Sequence, residues 1–234
     1  MAPSAIISGS SSGIGLEIAR ILAKRGYRLG LAARRFKVLQ DEAAKLGGNP
    51  VVREIDLASP DEALKIFHEM TEELGQVDYV YICAGIGHLN SRLDWELESE
   101  TIQINVAGFT AIAGAAFTLF TKHGKGHLVG VSSIAALMGS PDAPAYNASK
   151  AYMSNYLSGL RQRTNAKGFS LYVTDALPGF VDTAMMKAEK PFWVATSERA
   201  AKDIVEAVDR RRPRVYVTKR WGLIAALLRL LPFG

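Results

Sequence analysis

The run Ala5-Ile6-Ile7-Ser8-Gly9-Ser10-Ser11-Ser12-Gly13-Ile14-Gly15 is the stretch from which the fold is read. Residues 5–8 form a short apolar run that ends in a small residue, the pattern of a buried strand. Ile14, Ile18, Ile21 and Leu22 then recur at helical spacing. Between them lies a Gly-x-x-x-Gly-x-Gly turn, not the Gly-x-Gly-x-x-Gly of the usual dinucleotide fingerprint. A strand, a glycine turn and an amphipathic helix make the phosphate-cradling start of a βαβ unit. The glycines let the backbone approach a pyrophosphate, and the helix N-terminus supplies free N–H groups. The plainer reading is a serine- and glycine-rich loop without a ligand.

Working outward, residues 28–33 read as a second strand that ends in Arg34-Arg35, where a dinucleotide fold holds the adenosine ribose. A carboxylate there would accept from the 2′-hydroxyl and repel a 2′-phosphate; two cations favour NADP(H) over NAD(H). The alternative is that both arginines open the next helix and face water. Strands at 51–55, 78–83, 127–132, 169–176 and 214–218 alternate with helical segments, among them a long one over 94–121 with Asn105 inside it. The alternation predicts an α/β, Rossmann-like, doubly wound parallel sheet of about seven strands with helices on both faces, as a single domain over 1–234.

A second motif lies late in the chain: Ser133, then Tyr146-Asn147-Ala148-Ser149-Lys150. Tyr and Lys four apart share a helix face. A neighbouring ammonium favours phenolate, which lowers a phenol pKa of about 10 toward the range of acid–base catalysis. Ser133, at the C-terminal end of a strand, is placed to hold a substrate oxygen. Taken alone, Tyr-x-x-x-Lys is a weak signal that any surface helix can carry.

Composition narrows the classes. The 234 residues carry a net charge of +5 and are 48% hydrophobic, enough for a sizeable core. Cys83 is the one cysteine, which excludes an internal disulfide. The histidines at 68, 88, 123 and 127 have no metal-ligand spacing, so no metal is expected. The N-terminus does not resemble a signal peptide, and a cytoplasmic location is expected. Basic residues are not interleaved with aromatics, so nucleic acid is not an expected partner.

At this point the chain resembles the short-chain dehydrogenase/reductase family, from Ser4 to about Thr183. The family's turn motif matches from Ser8 to Gly15, with Ser8 in place of Thr, and its Asp after the third strand matches Asp56. Its Asn-Ala-Gly appears as Cys83-Ala84-Gly85, a departure that removes an amide. Its Pro-Gly-x-x-x-Thr motif matches Pro178, Gly179 and Thr183. The resemblance implies Asn105, Ser133, Tyr146 and Lys150 as catalytic residues. It implies Gly9, Ser11, Ser12, Gly13, Ile14, Gly15, Arg34, Arg35, Asp56, Leu57, Cys83, Ala84, Gly85, Tyr146, Lys150, Pro178, Gly179, Val181 and Thr183 around the cofactor. Tyr146 would exchange a proton with a carbonyl or alcohol oxygen, Ser133 would orient it, and Lys150 would lower the Tyr146 pKa and bind nicotinamide ribose. Asn105 would hold a water or a kink that links Lys150 to solvent protons.

The substrate walls would come from Ile86, His88, Ile134, Leu137, Met138, Met185, Met186, Phe192 and Trp193, partly from a substrate-lobe segment at about 183–200. That set implies a hydrophobic ketone, aldehyde or secondary alcohol; the same residues could equally be core. An apolar helix at about 221–231 follows Arg210, Arg211, Arg212, Arg214, Lys219 and Arg220. It is too short to span a bilayer, which takes about 20 residues. Burial against another subunit of a homodimer or homotetramer, or against the substrate lobe, is favoured over a peripheral membrane anchor. Two other functions are weighed: a nucleotide-binding redox sensor without turnover, which has no need of Tyr146 with Lys150, and an epimerase or dehydratase of the longer related family.

Overall fold

The computed structural model describes residues 2–165, 170–183 and 192–228, without the side chains of Asn165 and Leu228. Strand β1 (Ser4–Ser8), helix α1 (Gly13–Lys24), β2 (Arg28–Ala33), α2 (Phe36–Leu46), β3 (Val51–Glu54), α3 (Pro60–Leu74) and β4 (Tyr79–Ile82) make the first half. The second half holds α4 (Trp95–Ile102), a π-helical segment (Gln103–Gly108), α5 (Phe109–His123), β5 (Lys125–Val131) and a 3-10 turn (Ile134–Leu137). It continues with α6 (Pro144–Asn165), β6 (Ser170–Pro178), α7 (Ser197–Asp209), β7 (Arg214–Val217) and α8 (Lys219–Leu228).

The strands form one parallel sheet in the order β3-β2-β1-β4-β5-β6-β7. Each face of a strand in such a sheet meets helices, which explains the unbroken burial of β1. Ile18, Leu22, Leu39, Ile204 and Val208 bring α1, α2 and α7 onto one face. Phe67, Met70, Phe109, Ile112, Met153 and Leu157 bring α3, α5 and α6 onto the other. The chain winds outward from β1 to β3, then returns to β4 on the far side of β1. That reversal opens a crevice at the C-terminal ends of β1 and β4, the place where such sheets bind ligands.

Three expectations are modified. The helix expected over 94–121 is interrupted by the π turn, because Asn105 turns its amide onto the neighbouring loop and Gly108 passes under Leu57. The sixth strand runs on to Pro178, since β7 pairs as far as Pro178 with Val217; Phe169, its expected first residue, lies outside the described residues. The basic run before the C-terminal helix is not one collar. Arg211 lies 4.6 Å over the Tyr172 ring and Arg214 reaches Asp175 at 3.5 Å, at the far end of β7 from α8. Lys219 and Arg220 are the members of that run that α8 itself carries.

Helix α8 begins two residues before its expected start, and residues 229–231 lie outside the described ones. One face is covered: Trp221 and Ala225 are buried, and Trp221 packs among Phe180, Phe192 and Trp193 with ring centroids 5.1–6.0 Å apart. Leu223 and Leu227 on the other face are exposed.

Candidate active site

Four loops meet at the crevice because four strands end there. β5 delivers Ser133 two residues past its end. The Ser133 hydroxyl accepts from the Ala135 N–H at 3.1 Å and reaches the Pro178 carbonyl at 3.4 Å, so it ties the end of β5 to that of β6. Helix α6 starts at Pro144, whose missing N–H costs nothing in a first turn. It places Tyr146 and Lys150 one above the other. The Tyr146 ring lies against the loop at Gly87, where an added Cβ would come within 2.7 Å of its Cδ2. Burial pushes the phenol pKa up, and a hydrogen bond with Ser133 acts against that rise. The depression expected from Lys150 is not found: burial outweighs the Ser133 hydrogen bond, and the phenol stays above its ordinary value.

Lys150 is 3% exposed, donates to the Val131 carbonyl at 3.1 Å and sits 5.8 Å from the Tyr146 ring centroid. Burial pulls its pKa down to about 8, against the raising effects of Asp175 and then Cys83. Burial thus makes this ammonium easier to discharge than an exposed one.

Asn105 answers both readings of a buried amide in an apolar helix. Its Oδ1 accepts from the Ile86 N–H at 2.9 Å, and its Nδ2 donates to the Ile86 carbonyl at 2.8 Å and to Ser149 Oγ at 3.0 Å. One side chain thus clamps the loop after β4 to the helix that carries Tyr146, and does so from a π segment, a local geometry common at functional sites. This clamp also bears on the Cys83 departure. The Cys83 N–H still bonds the Ser8 carbonyl at 2.9 Å, and the next turn is held at Ile86. Burial pushes the thiol of the half-buried Cys83 up to about 12, which disfavours its thiolate.

The glycine turn is built for a close-approaching ligand. Gly9 has φ +81, and a Cβ on it would lie 2.5 Å from the Ala84 nitrogen, so the turns after β1 and β4 pack backbone to backbone. Gly15 presses on the Gly9 carbonyl in the same way. Ser12 occupies the N-cap of α1 without bonding it, and Ile14 opens the helix half-buried, which leaves the first N–H groups without a side-chain cap. Thr183 stands over Gly13, with Pro178, Gly179 and the buried Val181 leading to it. These residues fit a pyrophosphate-bearing dinucleotide.

Arg35 reaches back to the turn and donates to Ser11 Oγ at 3.1 Å and Ser12 Oγ at 2.5 Å. Arg34 points elsewhere, 3.7 Å from Glu100, whose other oxygen meets His88 at 2.9 Å. Asp56 accepts from the Ala58 N–H at 3.0 Å and so shapes the turn into α3, while Leu57 is buried in the core beside Gly108. Ile86 is held by Asn105 after β4, Ile134, Leu137 and Met138 follow Ser133, and Phe192 and Trp193 pack with Trp221; Met185 and Met186 lie outside the described residues.

Sequence reading missed a buried polar group behind the site. Asp175, fully buried in β6, accepts from Ser132 and from Ser154 Oγ at 2.6 Å, with Arg214 at 3.5 Å. The signals were a carboxylate inside an otherwise buried strand and a serine one turn past Lys150 on the Tyr146 stripe. Gly87 was missed because nothing in a single glycine announces an aromatic ring across it.

Comparisons agree with this geometry. Residues 3–192 match the family model described as short chain dehydrogenase. An oxidoreductase of Myxococcus xanthus, uncharacterized by its name, is 36% identical over 202 residues, covering 83% of this chain and 79% of its own. The 3-oxoacyl-[acyl-carrier-protein] reductase of Bos taurus is 31% identical over 183 residues, covering 77% of this chain and 76% of its own. A short-chain dehydrogenase from Sphingobium yanoikuyae, solved in complex with NADPH, superposes with a TM-score of 0.83 over 99% of this chain and 97% of its own at 24% identity, a likeness of fold. With its glycine turn, its Ser133-Tyr146-Lys150 cluster and a family match over most of its length, this chain belongs to the short-chain dehydrogenase/reductase family and is an oxidoreductase.

Proposed function

We propose that the protein interconverts a hydrophobic ketone or aldehyde and its alcohol with NADP(H) in preference to NAD(H). The observation that carries the cofactor choice is the bridge from Arg35 to Ser11 and Ser12. A guanidinium held by two hydroxyls at the end of β2, with no carboxylate beside it, is a ready anion site where the 2′-phosphate would lie. An acidic residue in its place would favour NAD(H).

Bound NADPH would supply the hydride. The chain's own residues do the rest. Ser133 and Tyr146 converge on one oxygen, which positions a carbonyl for protonation by the phenol. Lys150 offers positive charge 5.8 Å from the ring centroid, and Asn105 holds Ile86, next to Gly87, in the loop that meets Tyr146. The apolar flank of Ile86, Ile134, Leu137, Met138, Phe192 and Trp193 supports a hydrophobic substrate, and methionine suits irregular shapes. A relative is named as a reductase of a 3-oxoacyl group, which carries a ketone.

Side-by-side binding of NADPH and NADH at one salt concentration, followed by a screen of apolar ketones and aldehydes, tests the proposal. Tighter NADPH binding with turnover of an apolar carbonyl is expected. Tighter NADH binding overturns the cofactor reading, and a preference for strongly anionic substrates overturns the substrate reading. Saturable nucleotide binding without turnover of any carbonyl or alcohol would favour the sensor.

A further inference from the structure

Asp175 is the most buried charge in reach of the site and the proposed mechanism does not use it. It lies in β6 opposite Gly130 of β5 and Arg214 of β7. A buried carboxylate is costly unless every lone pair is engaged. Here the engagement is directional. One oxygen accepts from Ser132, the residue before Ser133. The other accepts at 2.6 Å from Ser154, one helical turn beyond Lys150. The single carboxylate therefore joins the strand end that presents Ser133 to the helix that presents Tyr146 and Lys150.

The charges around it are unevenly matched. Arg214 approaches to 3.5 Å, but its Nε makes no hydrogen bond, and its Nη2 donates to Ser154 at 3.4 Å. Arg161, also on α6, feels the carboxylate while donating to the Val173 and Pro213 carbonyls. Lys150 has the Val131 carbonyl, the Met153 sulfur at 3.6 Å and the Tyr146 ring, none of them an anion. Cys83, one residue past β4, raises the Lys150 pKa less than Asp175 does, and burial disfavours its own thiolate. Asp175 is then the one carboxylate, among the described residues acting on Lys150, that favours its charged form.

We propose that Asp175 is a positioning residue for the reaction: it locks the Ser133 strand end to the Tyr146–Lys150 helix and, held between Ser132, next to Val131, and Ser154, one turn from Lys150, acts on Lys150 as a fixed charge. The role deepens the oxidoreductase reading and rests on it. A pair kept for stability alone is a weak explanation, since replacing buried ion pairs by apolar residues is often neutral or stabilising.

The experiment uses Asp175→Asn in the full chain, with Asp175→Asn/Arg214→Met as a partner variant that leaves no unpaired arginine, and Ser154→Ala, which removes one tie but no charge. NADPH binding and thermal unfolding report whether each variant is folded. Lys150 is titrated by NMR of carbon-labelled lysine, assigned with Lys150→Met. The pH profile of kcat is measured on the best carbonyl substrate. Both Asp175 variants are expected to bind NADPH, to titrate Lys150 about one pH unit lower or more, and to lose about tenfold or more in kcat at neutral pH. Their high-pH limb moves down by the same amount, because the protonated lysine is lost sooner. Ser154→Ala is expected to lower kcat with Lys150 unmoved. A folded variant whose Lys150 titration is unchanged overturns the charge role, and unchanged kcat in Ser154→Ala overturns the tie. Because the lysine titration needs no turnover, absence of carbonyl reduction by the wild type would count against the proposed function alone.

Discussion

The Lys150 ammonium lies 5.8 Å from the centroid of the Tyr146 ring and donates to the Val131 carbonyl. The pair sits one turn apart on α6, but the phenol's hydrogen bond goes to Ser133. The two causes acting on the phenol are burial, which raises its pKa, and Ser133, which lowers it, while the Lys150 ammonium is spent on a backbone carbonyl.

Tyr146→Phe is expected to keep the fold and NADPH binding and to lower kcat by about a hundredfold or more, the usual worth of a positioned acid. Retention of most of the turnover would remove Tyr146 from its role.

Lys150→Met is expected to raise the melting temperature at pH 7. The folded pKa of Lys150, about 8, lies below its ordinary 10.5, so the native state binds fewer protons between those values and its stability rises with pH there. Burying the cation therefore costs the wild type most below pH 8, and the advantage of the variant shrinks as the pH approaches 10.5. Thermal unfolding from pH 6.5 to 10.5 checks the sign, with kcat expected to fall throughout.

Arg35→Ser is expected to weaken NADPH binding by about tenfold or more, the scale of a charge-assisted contact, and to leave NADH nearly unchanged. Arg34→Ser should do less, because Arg34 pairs with Glu100 and not with the turn. Titrating both cofactors into both variants separates them.

Gly87→Ala places a methyl about 2.7 Å from the Tyr146 ring. The ring must shift, and small misplacements at a reacting centre are costly. A fall of about tenfold or more in kcat with unchanged NADPH affinity is expected, read from steady-state kinetics and nucleotide titration.

The order of elements, the parallel sheet and the residues of the glycine turn were legible because they follow from local rules. Residues 5–8 are apolar and the following glycines are spaced for a turn, while Tyr146 and Lys150 are neighbours on any helix. The same local reading ran 94–121 as one helix, because no rule of periodicity shows that Asn105 will bond a loop nineteen residues earlier. It also grouped Arg34 with Arg35, and Arg210–Arg212 with Lys219–Arg220, although adjacency in sequence says nothing of where side chains end.

The sequence by itself determined the fold class, the glycine turn and the Tyr146–Lys150 pairing on one helix, since each is written in neighbours along one element. Only the tertiary structure decided that Arg35 and not Arg34 meets the turn, that Asn105 clamps Ile86, and that Asp175 stands behind Lys150. These are contacts between strands and helices far apart in the chain. Burial makes each of them consequential, because a charge or amide removed from water must be satisfied by whatever the fold brings beside it.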